Sequence, residues 1–136
     1  MRIKKVLLAE DEEDIRRLAY ISLRRGSEWE ILLAGDGEEC LALARAQQPD
    51  LILLDAVMPR LDGFEVCRQL KADPATAYIP VIFLTASAQE YEMQRGLQMG
   101  AIGYLTKPFD PLQLRQQVLD VLRQACLLYT SDAADE

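Results

Sequence analysis

The chain of 136 residues contains no histidine. Without an imidazole there is no Ser-His-Asp triad, no zinc site with histidine ligands and no phosphohistidine relay on this chain. Cysteine is scarce: Cys40, Cys67 and Cys126 lie far apart and without C-x-x-C spacing. Cys40 and Cys67 fall on apolar positions of predicted helices, so both read as packing residues rather than as a disulfide framework. No apolar stretch approaches the ~20 residues that span a bilayer. Val6-Leu7-Leu8-Ala9, behind the basic start Met1–Lys5, is too short for a signal-peptide core. No membrane association and a cytoplasmic address are therefore expected. Basic residues are also in deficit, 15 Lys and Arg against 22 Asp and Glu, for a net charge of −7. Nucleic-acid affinity needs clustered Lys and Arg, so direct binding to nucleic acid by this domain is not expected.

What is present is a repeated alternation. Strand patterns occur at Lys4–Ala9, Trp29–Ala34, Asp50–Leu54, Pro80–Thr85 and Ala101–Leu105, each a short apolar run bounded by polar or turn residues. Between them lie helical periodicities, with Ile15, Leu18, Ala19 and Ser22 on one face of the first and Leu114, Val118, Val121 and Leu122 on one face of the last. Asp36-x-x-Glu39, Asp62-x-x-Glu65 and Ser87-x-x-Glu90 resemble capping boxes, and Asp110-Pro111 puts proline where a helix can begin. Five β-α units of this kind predict one α/β domain, a doubly wound parallel sheet with helices on both faces.

Polar residues stand where the strands stop. Asp50-Leu51-Ile52-Leu53-Leu54-Asp55 is a strand apolar on both faces, hence central, and it ends in a carboxylate. Glu10-Asp11 ends the first strand, Thr85 the fourth and Lys107-Pro108 the fifth. In a sheet of order 2-1-3-4-5 the first and third strands are neighbours, about 4.8 Å apart. Asp11 and Asp55 then converge where the winding reverses, the ligand crevice of such sheets. Carboxylates that close repel one another unless a cation joins them, and hard oxygen donors suit Mg²⁺. Lys107 adds a point charge and Thr85 a hydroxyl, which together complete a site for a phosphoryl group. Glu12, Glu13 and Asp14 read more simply as favourable charge at a helix N-terminus.

These segments resemble the receiver domain of bacterial two-component response regulators. The residues that carry the likeness are Leu8-Ala9-Glu10-Asp11-Glu12, the run Asp50–Asp55 with Ala56-Val57-Met58-Pro59-Arg60-Leu61-Asp62-Gly63, then Pro80–Ala86, and Gly100–Phe109. The resemblance covers residues 3–125 as one receiver and implies a flavodoxin-like, chemotaxis-regulator-like sheet of five strands and five helices. It implies that Asp55 is the phosphoacceptor for a phosphohistidine on a histidine kinase or histidine phosphotransfer protein. It further implies Mg²⁺ held by Asp11, Asp55 and the backbone carbonyl of Val57, with Glu10 acting through water. Lys107 would pair with the phosphoryl oxygens, Thr85 and Tyr104 would form the switch, and the Lys107-Pro108 bond would be cis. A downstream protein target, or an output domain absent from this chain, would read the signal. Such a domain is not an enzyme beyond catalysing its own phosphorylation and dephosphorylation.

The chain departs from the family in two places. Glu10 stands where Asp is more common, and Ile102-Gly103 replaces the polar pair of regulators that dimerise through the fourth helix, fifth strand and fifth helix. An aspartyl phosphatase of haloacid dehalogenase type would also use a strand-end Asp with Mg²⁺, but it wants a second Asp two residues on, where Val57 stands. A flavin-binding flavodoxin wants a hydroxyl- and glycine-rich loop where Glu10–Asp14 would repel the phosphate. The end of the chain, 126–136, breaks the last helical periodicity and reads as a translated sequencing adaptor, foreign to the fold. Its three acids and no basic residue take the net charge of the remainder from −7 to −4.

Overall fold

The structure, a computed structural model, describes residues 3–26, 28–86 and 90–125. The strands are β1 (Lys5–Ala9), β2 (Glu30–Ala34), β3 (Leu51–Asp55), β4 (Val81–Thr85) and β5 (Gly103–Thr106). They alternate with α1 (Glu13–Arg24), α2 (Gly37–Gln47), α3 (Gly63–Ala72), α4 (Glu90–Gln98) and α5 (Leu114–Gln124). All four strand pairs are parallel and the order is 2-1-3-4-5. Each strand starts within one or two residues of its expected position.

Two cores explain why the central strands are apolar throughout. Successive side chains of a strand point to opposite faces. Val6, Leu8, Leu51, Leu53, Ile82 and Leu84 pack under α1 and α5, against Ala19, Leu23, Leu114, Val118 and Leu122. Leu7, Ala9, Ile52, Leu54, Val81 and Phe83 pack on the other face, against residues of α2 and α3 that include Cys40, Leu41, Val66, Cys67 and Leu70. Full burial of each large aliphatic side chain contributes about 1.5–3 kcal/mol. Burial holds the Cys40 thiol up at about 12 and the Cys67 thiol at about 11, so both stay protonated and act as packing residues. Cys126 lies outside the described residues.

Helix ends depart from expectation in detail. Asp36 and Asp62 do cap α2 and α3, accepting from Glu39 N at 2.8 Å and Glu65 N at 2.9 Å. Neither cap is reciprocal. Glu39 reaches the Gly35 N–H at 2.8 Å instead, and Glu65 binds Arg68 and Gln69. Ser87 lies outside the described residues. Pro111 does not open α5: Asp110–Gln113 is a turn, held by Leu112 N and Gln113 N donating back to Asp110, and the Pro111 carbonyl accepts from Ser22 Oγ. On α1, Leu18 is 43% exposed and Leu23 takes the buried place, because the helix meets the sheet one step round from the expected stripe. Gly103 lets α5 sit close on β5, since a Cβ there would stand 2.6 Å from Val121 Cγ1. That contact is a packing reason for glycine in the Ile102-Gly103 pair. Asp36→Ala should cost about 1 kcal/mol of stability, as loss of an N-cap does; urea denaturation measures it, and an unchanged midpoint would mean the cap contributes nothing.

Candidate functional site

Register brings the strand-end polar residues together. Ala9 pairs with Leu54, so Glu10 emerges from β1 beside Asp55, the last residue of β3. Asp55 pairs with Leu84 and Thr85 with Thr106, which puts Thr85 and Lys107 next along the same edge. Backbone bonds carry the ladder one residue further at three points: Glu10 N to Ala34 O, Ala56 N to Leu84 O, and Lys107 N to Thr85 O. The side chains therefore leave from rigid strand ends rather than from free loops. Gly63 tightens the turn after Asp55, its N–H bonded to Ala56 O at 3.0 Å.

The site is buried and crowded with charge. Glu10 and Asp55 are buried, Asp11 is half-buried at the rim, and oxygens of the three carboxylates lie within 4.8 Å of one another. Lys107 Nζ donates to Glu10 Oε1 and Asp55 Oδ2, each at 3.2 Å. The second oxygen of Glu10 accepts from Glu12 N at 3.2 Å. Burial opposes the Lys107 charge, but Asp55 and then Glu10 outweigh it and raise the ammonium above its ordinary range. Asp55 is pushed up to about 7, first by burial and then by Glu10, against the pull of the Val57 N–H at 3.1 Å and of Lys107. One lysine cannot balance three carboxylates. This set of clustered carboxylate oxygens is one that could hold a metal.

The other expected residues have distinct places. Thr85 is buried at the end of β4, and Tyr104, on β5, is 37% exposed. Between them lies a cavity of about 10 Å³, lined by Ala56, Phe64, Phe83 and Met93 as well. That volume admits about one water, so an aromatic ring could enter only if Phe83, Phe64 or Met93 gave way. The Val57 side chain points outward, 71% exposed, two residues beyond Asp55. The Lys107-Pro108 peptide is cis.

Two residues at this edge have roles that sequence reading does not reveal. Arg16 of α1 donates from Nη1 to the backbone oxygen of Glu10 at 2.8 Å and to that of Asp11 at 3.5 Å. No spacing rule singles out one arginine on a helix that also carries Arg17 and Arg24. Gly63 stands inside a resemblance-carrying run, but its reason is steric: a Cβ would lie 2.2 Å from Asp55 O and 2.9 Å from Ala56 Cα.

Comparison with known proteins agrees with this fold. Residues 6–119 match the response regulator receiver domain family. The chain is 42% identical over 122 residues to the alkaline phosphatase synthesis transcriptional regulatory protein PhoP of Bacillus subtilis, covering 90% of this chain and 50% of that protein. It is 41% identical over 119 residues to the response regulator PleD of Caulobacter vibrioides, covering 88% of this chain and 26% of PleD. The chain thus spans about half, or a quarter, of the curated relatives it matches. Among solved structures, the chemotaxis protein CheY4 of Vibrio cholerae superposes with a TM-score of 0.82 at 32% identity, over 89% of this chain and all of CheY4. These likenesses support no phosphatase of the haloacid dehalogenase type, and Val57 still stands where its acid/base would be. No described helix is long and apolar enough to cross a membrane. With family match and sheet order in agreement, the chain belongs to the receiver domains of two-component response regulators.

Proposed function

We propose that this receiver takes a phosphoryl group onto Asp55 from a phosphohistidine on a partner histidine kinase or histidine phosphotransfer protein. The observation that carries the reading is a buried carboxylate 3.2 Å from Lys107 Nζ, with two further carboxylates within 4.8 Å. This chain carries no histidine, which supports a donor imidazole supplied from a partner. An Asp55 oxygen attacks phosphorus, an O–P bond forms as the N–P bond breaks, and the electron pair leaves on the imidazole nitrogen. Lys107, already held beside Asp55, moves its contact to the phosphoryl oxygens.

Among the described residues the cluster Glu10, Asp11 and Asp55 offers hard oxygen donors, which fits Mg²⁺. Asp11, Asp55 and the Val57 carbonyl would hold the ion directly, and Glu10 through water. When bound, Mg²⁺ would neutralise charge between these carboxylates and the incoming phosphoryl group. With acetyl phosphate and Mg²⁺ the intact protein should gain the mass of one phosphoryl group, and chelation should prevent it. Equal labelling in excess chelator would overturn the metal assignment.

Thr85 and Tyr104 would act as the switch, the hydroxyl turning to the phosphoryl group and the ring moving into the space beside it. A ligand biases such a shift only by its differential affinity for the two states. Thr85→Ala and Lys107→Ala remove phosphoryl contacts but no metal ligand, so both should bind Mg²⁺ and lose the phosphorylation-dependent change. NMR of Tyr104 with a beryllofluoride phosphoryl mimic reads it: the wild-type ring should become buried and the variants' ring should not. An unchanged wild-type ring would count against the switch. The changed surface would be read by a downstream protein target or by an output domain, and residues 3–125 form the receiver itself.

A further inference from the structure

We propose that Arg16 is a positioning residue for the metal ligands, holding the Glu10–Asp11 peptide so that both carboxylates face Asp55; this rests on the Mg²⁺ reading above. Beyond Ala9 the chain turns out of the sheet, so the carbonyls of Glu10 and Asp11 need donors from elsewhere. The Glu10 N–H is already tied to Ala34 O at 3.0 Å. Its carbonyl is tied to Arg16 Nη1 at 2.8 Å, and the Asp11 carbonyl lies 3.5 Å from the same nitrogen. With both sides of Glu10 bound, the plane of the Glu10–Asp11 peptide has little freedom left. Rotating that plane would swing the Asp11 Cα–Cβ bond and move its carboxylate relative to Asp55.

A second observation shows that the neighbouring loop leaves room for the guanidinium. A Cβ on Gly35 would stand 3.3 Å from Arg16 Nη1 and 3.9 Å from Cζ. Gly35 is itself fixed by Glu39 Oε1 at 2.8 Å, and the next residue, Asp36, pairs with Arg60 at 3.2 Å. Arg16 therefore spans the connections after β1 and β2. Partners that orient metal ligands from outside typically contribute about 10–100-fold to metal affinity.

The test is Mg²⁺ binding by calorimetry on the full chain, with Arg16→Met, which keeps bulk and removes the donors, and Gly35→Val, which keeps Arg16 and crowds its guanidinium. Melting temperature and acetyl phosphate labelling against Mg²⁺ concentration are measured alongside. Arg16→Met should weaken Mg²⁺ binding by about 10-fold or more, Gly35→Val should act in the same direction, and labelling at saturating Mg²⁺ should return towards the wild-type rate. Unchanged Mg²⁺ affinity in folded Arg16→Met would overturn the proposal, as would a labelling defect that saturating Mg²⁺ does not reduce. If Arg16→Met does not fold, Gly35→Val decides by the same criteria. Asp11→Asn separates the two readings. A wild type whose Mg²⁺ binding is absent, or indifferent to Asp11→Asn, removes the metal reading and this inference with it, whereas normal binding that Arg16→Met leaves unchanged removes the inference alone.

Discussion

Asp55→Asn is expected to reduce acetyl phosphate labelling to background, the largest functional effect of any single substitution in this domain. An acyl phosphate requires a carboxylate oxygen as nucleophile, and an amide supplies none. Neighbouring carboxylates do not substitute for it: Glu10 is turned to Lys107 and the Glu12 N–H, and Asp11 sits at the rim. Retained labelling at wild-type stoichiometry, by intact mass, would sink the assignment of Asp55. The same variant should alter stability against pH in the metal-free protein. In the fold the Asp55 carboxyl is raised from 3.8 to about 7. The folded state then binds more protons than the unfolded chain across that interval, so this group's contribution is fully present below 3.8 and is lost as pH rises to about 7. Asn has no proton to release. In chelator, denaturation of Asp55→Asn should show a flatter profile from about pH 4 to pH 7 and greater stability than wild type above it. Parallel profiles would show that Asp55 is not the group responsible.

Gly63→Ala should cause the largest loss of stability among the substitutions considered, about 3 kcal/mol, the upper end of overpacking costs. Its Cβ would stand 2.2 Å from the Asp55 carbonyl oxygen and 2.9 Å from Ala56 Cα, and neither is the movable end of a side chain. The turn after β3 would have to open, lengthening the 3.0 Å bond from Gly63 N to Ala56 O and displacing the Asp62 cap of α3. Scanning calorimetry should show melting lowered by roughly 10 °C. A shift of a degree or two would mean that the turn relaxes without strain.

Much of this domain is legible in one dimension. The alternation of apolar runs with helical periodicities determines a parallel α/β sheet, because parallel strands need crossover helices and a strand covered on both faces must be apolar throughout, as Leu51–Leu54 is. Asp55, Asp11, Glu10, Thr85 and Lys107 stand at or just past the carboxyl ends of strands, which is why the sequence alone groups them. Helix starts were half legible: Asp36 and Asp62 cap as their residue types dictate, whereas Pro111 yields to the turn at Asp110–Gln113.

Only the tertiary structure decided how these groups act on one another. Lys107 lies 97 residues from Glu10 and 52 from Asp55, yet bonds both. Register and burial, which no local pattern encodes, determine those distances and the desolvation that raises Asp55. The same holds for Leu18 and Leu23, whose exposure depends on how α1 is rotated over the sheet. Gly63 and Arg16 are the clearest cases. A glycine's purpose is the backbone pressed against it, and an arginine's is the carbonyl it reaches; both partners become visible only when distant strand ends meet at one edge.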